Sequence, residues 1–146
     1  MKFARGSAVV LLVFLGLTAL VGSIPMMLHP GGNSTTLPLS TLQYSPFHSY
    51  LIPGILLFLA NGLLAFAVLR TVFQRTAHYP LWTSVQGCVL LVWLVSECWL
   101  LRVVIWLHYF YAGIAALLIA FGLILQHMEN QRRGFTADTR PGTRSA

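Results

Sequence analysis

The stretch LWTSVQGCVLLVWLVSECWLLRVVIWLHYFYAGIAALLIAFGLIL, Leu81–Leu125, decides how this chain is built. From Cys88 to Gln126 there is no proline, and the only glycines are Gly113 and Gly122. One unbroken helix over those 39 residues would be about 58 Å long at about 1.5 Å per residue, nearly twice a bilayer core of about 30 Å. The chain therefore reverses. Arg102 and His108 bracket the place where a tight turn costs least, because both head groups favour an interface over hydrocarbon. The run divides into one span at 81–101 and another at 107–125.

Working outward, residues 8–28 and 51–69 form two more apolar stretches of spanning length. Each is too long for a strand and lacks period-2 alternation. The whole chain of 146 residues is 57% hydrophobic and only 8% charged, with mean hydropathy +0.76. Soluble domains carry about a quarter charged residues. A chain this small leaves too much of its surface exposed to hide so many apolar side chains from water. The expected fold is an all-α, integral membrane four-helix bundle. Residues 1–130 form its single domain, and the polar segment 131–146 is expected to be a disordered tail. Lys2 and Arg5 before the first apolar stretch also suit a cleaved signal peptide. The length of that stretch and the lack of an A-x-A site near Ser23 favour a retained helix.

The basic residues give an orientation. Lys2, Arg5, Arg70, Arg75, Arg132, Arg133, Arg140 and Arg144 fall on one side of a four-span chain, and Arg102 alone falls on the other. Both termini are expected in the cytoplasm. Tyr44, Phe47, Tyr50, Trp99, Trp106 and Tyr109 cluster at the outer boundary, and Tyr79 and Trp82 mark the inner one, as interfacial rings do. The net charge of +6 is thus a topology signal. No basic face interleaved with aromatics exists, so a nucleic-acid partner is not expected; the lipid bilayer is.

Polar residues within the spans are the candidates for function. Glu97 lies about one turn inside the outer end of the third span, and Gln86 lies eleven residues earlier on nearly the same helical face. A carboxylate facing hydrocarbon is costly, so this stripe is expected to point inward. Glu97 has two readings: a structural acid paired with Arg102 or with donors in the outer loop, or a proton-exchanging or substrate-contacting carboxylate. Asn61 suits an inter-helix hydrogen bond near the midplane. His48 and His108 belong with this outer polar cluster. With His29 and Glu97 they could in principle ligate zinc, but the spacings match no metal motif, and the histidines are not placed to face one another around a haem. No metal or cofactor is expected. Cys88 and Cys98 form no CxxC pair and are expected to be buried free thiols. Ala112, Ala116 and Ala120 make a ridge of small residues on the fourth span, and Gly16, Ala19 and Ser23 and Gly54, Asn61 and Ala65 make others. These suit ordinary packing within the bundle; the alanine ridge also suits a homodimer or a membrane-protein partner.

The segment Ser45-Pro46-Phe47-His48-Ser49-Tyr50-Leu51-Ile52-Pro53-Gly54 opens the second span. Ser45 could cap a helix with Pro46 at its first position, in which case Pro53-Gly54 would kink it. Alternatively Ser49 caps, and Pro53 stays within the first turn. This SPF-x-x-Y-L-I-P-G pattern, with an acidic residue late in the third of four spans, resembles a group of small, uncharacterised four-span bacterial membrane proteins. The resemblance implies a bacterial plasma membrane and supplies no activity.

Three functions follow as expectations. The first is a non-enzymatic structural, accessory or interaction component, since no phosphate-binding glycine loop, HExxH or G-x-S-x-G is present. The second is a proton-coupled transporter of small molecules using Glu97. The third is an intramembrane enzyme or redox protein acting at the outer face.

Overall fold

The computed structural model describes residues 2–31, 46–102 and 104–138. They form four helices: α1 (Lys2–Leu28), α2 (Leu51–Gln74), α3 (Tyr79–Leu101) and α4 (Trp106–Asp138). All four are long and apolar enough to cross a membrane. Helix α1 packs on α2 and α4, and α2 and α4 both pack on α3, so the helices follow one another round an up-and-down bundle. The all-α four-helix architecture is therefore the observed one. Leu12, Leu15, Val68, Leu90, Ile114, Leu118 and Leu125 fill the centre. Val10, Val21, Leu59, Val92, Val95 and Leu123 point outward, an apolar surface suited to lipid and not to water.

The two short turns are made by arginine. Arg75 ends α2 at φ 51°, and Arg102 ends α3 at φ 50°, each donating its backbone N–H four residues back, to Thr71 O and Cys98 O. This left-handed position normally falls to glycine, because a Cβ there crowds the following carbonyl. Arg75→Gly is therefore expected to raise the SDS-unfolding midpoint of the purified protein, by up to about 1 kcal/mol of stability. An unchanged or lowered midpoint would show that the arginine side chain itself anchors the turn.

Glycines let the helices of each hairpin approach closely. A Cβ on Gly122 would collide with Ser84 Oγ and come within 2.7 Å of Ser84 N and 2.8 Å of Pro80 O. One on Gly87 would meet Ala115 O at 2.7 Å. Ser84 Oγ also donates across this α3–α4 seam to Ile119 O at 3.3 Å. On the α1–α2 seam, a Cβ on Gly54 would meet Met26 Cβ at 2.9 Å, and one on Gly16 would meet Phe66 at 2.9 Å.

Several expectations change. Helix α4 does not stop near residue 125: it continues as one helix to Asp138, so residues 131–138 of the expected tail are helical; residues 139–146 lie outside the described ones. Cys88 is exposed on the outside of the bundle and Cys98 is half-buried, so the thiols are not core residues. Helix α2 begins after Tyr50 with no side-chain cap, which places Pro53 in its first turn; Ser45 lies outside the described residues. Tyr50 N–H instead ties the start of α2 to Pro30 O at 3.1 Å. The departure of α2 from α geometry comes after Pro53-Gly54, in a π-helical segment, Phe58–Leu63.

Candidate functional site

The inward face of α3 carries polar groups at three heights, two of which find a partner on α4 and one on α2. Near the α3–α4 turn, Glu97 Oε2 stands 3.9 Å from His108 Nε2. Trp93 stands one turn earlier on α3. Of the partners the sequence left open for Glu97, the structure sets His108 against it, and Arg102 is exposed at the helix cap. His48 is also exposed, and no contact joins it to this pair.

His108 has a second duty that fixes its chemistry. Ile105 precedes the first residue of α4, and its N–H donates to His108 Nδ1 at 3.2 Å while His108 N–H donates to Ile105 O at 3.0 Å. The first bond is the side-chain half of a capping box, with histidine in place of the usual glutamate or glutamine, and the second is a backbone turn. Because Nδ1 accepts, the ring proton of neutral His108 sits on Nε2, the atom that faces Glu97. A metal ion on Nε2 would have to displace that proton. Among the described residues, no three His, Cys, Asp or Glu side chains gather as a metal site. His108 also walls an apolar cleft of about 480 Å³ between α3 and α4, with Leu94, Cys98, Trp99 and Tyr109. His108→Ala is expected to cost about 1 kcal/mol through the lost cap, and His108→Gln, which keeps an acceptor at that position, much less. Equal SDS midpoints for the two variants would argue that the cap is unimportant.

At mid-height Gln86 meets Asn61. Both are fully buried, at 0% exposure. Gln86 Nε2 donates to Ala60 O at 3.2 Å and reaches Asn61 Oδ1 at 3.5 Å. The single polar cluster expected from sequence is therefore two separate pairs on one face of α3, with Leu90 and Leu94 buried between them. Asn61 makes the inter-helix contact foreseen for it.

At the other end of α3, Tyr79 OH donates to Glu129 Oε1 at 3.4 Å. Sequence reasoning missed this pair, since residues 50 positions apart share no local spacing. It also missed the π segment, whose only sequence signal is the polar Asn61-Gly62 within an apolar helix.

No family model, curated protein or solved structure matches this chain. One helix face stands out. Ala116 and Ala120 are exposed, and nothing lies within 4 Å of where a Cβ on Gly113 would stand. The bundle instead uses the opposite side of α4, through Ile114, Ala115, Leu118, Gly122 and Leu125. Ordinary packing inside the bundle does not account for the alanine ridge beyond the half-buried Ala112.

Proposed function

We propose that this chain is a small non-enzymatic multi-pass protein of a bacterial plasma membrane, with both termini cytoplasmic, which acts as an interaction component and pairs with a second copy through α4. The observation that carries the reading is the open small-residue face at Gly113, Ala116 and Ala120. In lipid, helices gain little from hiding apolar surface and associate instead where small residues let backbones approach. The orientation is supported by the eight basic residues on one side of the spans against one on the other. The bacterial membrane is supported by the SPF-x-x-Y-L-I-P-G segment and its resemblance.

In a background lacking Cys88 and Cys98, a cysteine at position 120 is expected to cross-link two copies in native membranes. Ala116→Leu is expected to lower the dimer fraction in liposomes about tenfold, equivalent to about 1.4 kcal/mol, with no change in the SDS midpoint of the monomer. A chain that stays monomeric at every protein-to-lipid ratio would remove the reading. A reporter fused after Ala146 tests the orientation independently.

The Glu97–His108 contact favours a second reading, a proton-coupled carrier. Its pair of exchangeable groups lies inside a span, where such residues commonly serve transport. Proton-linked uptake into liposomes should then fall at least about tenfold in Glu97→Gln, and equal flux in both proteins would end the idea.

A further inference from the structure

The orphaned atoms of the mid-height amide pair point to a ligand. Only an amide nitrogen can bond Ala60 O, so the contact at 3.2 Å fixes which way Gln86 faces. Only an oxygen can then face Gln86 Nε2, which fixes Asn61 as well. What remains is one donor, Asn61 Nδ2, and one acceptor, Gln86 Oε1. Both are buried and have no partner among the described residues. Groups of this kind in native structures are commonly completed by an ordered water.

The adjoining backbone adds a second observation. In an α-helix Leu64 N–H would bond Ala60 O; here it donates to Leu59 O, as a π turn requires. Gln86 Nε2 takes the place of that donor on Ala60 O. The side chain that leaves an acceptor unsatisfied is therefore one that bonds the backbone of the π segment of α2. Single π turns inside α-helices are frequent at functional sites.

We propose that Asn61 Nδ2 and Gln86 Oε1 bind one water molecule in the middle of the bundle, accepting from the first and donating to the second. With no solvent in hydrocarbon to compensate them, leaving both atoms bare costs more than immobilising one water. The water completes a bridge from α3 to the π turn of α2.

The test uses the full chain in bicelles, labelled with nitrogen-15 in its asparagine side chains. Replacing the other two asparagines, Asn33→Ser and Asn130→Ser, isolates the Asn61 resonance. A nuclear Overhauser cross-peak between the Asn61 Nδ2 protons and water is the expected result, and it should disappear in Gln86→Leu. Absence of the cross-peak in the protein that retains Gln86 would overturn the proposal, because the two amides must then close directly on each other. That decisive spectrum needs no core variant, so a Gln86→Leu protein that fails to fold does not affect it. A cross-peak that persists in a folded Gln86→Leu protein would also overturn it, since the water would not be held by Gln86 Oε1.

Discussion

Gly122→Ala is expected to pry α3 from α4 and to lower stability by up to about 2 kcal/mol. The added methyl group would collide with Ser84 Oγ and crowd Ser84 N and Pro80 O. A side chain can rotate out of the way, but two backbone atoms of a helix cannot. The helices must separate, and the Ser84–Ile119 hydrogen bond at 3.3 Å and the neighbouring Gly87 contact would loosen together. Overpacking of this kind costs about 1–3 kcal/mol, and it outweighs the ~1 kcal/mol that alanine gains over glycine in a helix. Gly113→Ala is the matched control on the same helix, since nothing lies within 4 Å of its Cβ position. That variant should gain up to about 1 kcal/mol. SDS titration of the two proteins measures the difference directly. If both variants shift alike, the close seam is not what holds this hairpin.

Gly54→Leu is expected to disrupt the other hairpin by about 3 kcal/mol, the upper part of the overpacking range. Its Cβ would meet Met26 Cβ at 2.9 Å, Met27 Cγ at 3.2 Å and Ser23 O at 3.3 Å. The remaining atoms of leucine would have to enter α1. This gives the glycine of the Pro53-Gly54 pair a packing reason: it admits α1, and the proline before it merely fits the first turn. Gly22→Ala, whose Cβ would reach only Leu57 Cδ2 at 3.6 Å, should, like Gly113→Ala, gain up to about 1 kcal/mol. A Gly54→Leu protein as stable as that one would contradict the α1–α2 geometry.

The spans and the α3–α4 turn were legible in the sequence because hydrocarbon thickness imposes a length. No helix of 39 residues fits across it, so length requires a break, and Arg102 and His108 place it. The common face of Gln86 and Glu97 was legible too, since it follows from the helical period alone. Their partners were not. The same face of α3 meets α2 at the height of Gln86 and α4 at the height of Glu97, and a periodicity carries no information about a neighbouring helix. Arg102 is nearer to Glu97 in sequence than His108, yet its left-handed cap leaves it exposed. On α4, Ala112, Ala116 and Ala120 repeat every four residues, while Ala115 and Gly122 stand one heptad apart on another side. Both patterns suit close packing, and only the position of α3 decides which is taken. The π segment had no sequence signature strong enough to read, and the side chain that bonds its Ala60 O, Gln86, lies 26 residues away.

Helix α4 runs unbroken for 33 residues, about 50 Å, which is longer than a bilayer core of about 30 Å. Such a rod transmits torque. Its rotation about its own axis is resisted where Gly122 is wedged against Ser84 and Pro80, so a twist applied at Asp138 is felt at that seam. Anything attached beyond Asp138 inherits an angular phase from it. One extra residue between Arg132 and Asp138 would swing the attachment by about 100° and advance it by about 1.5 Å, a drive shaft with indexed positions.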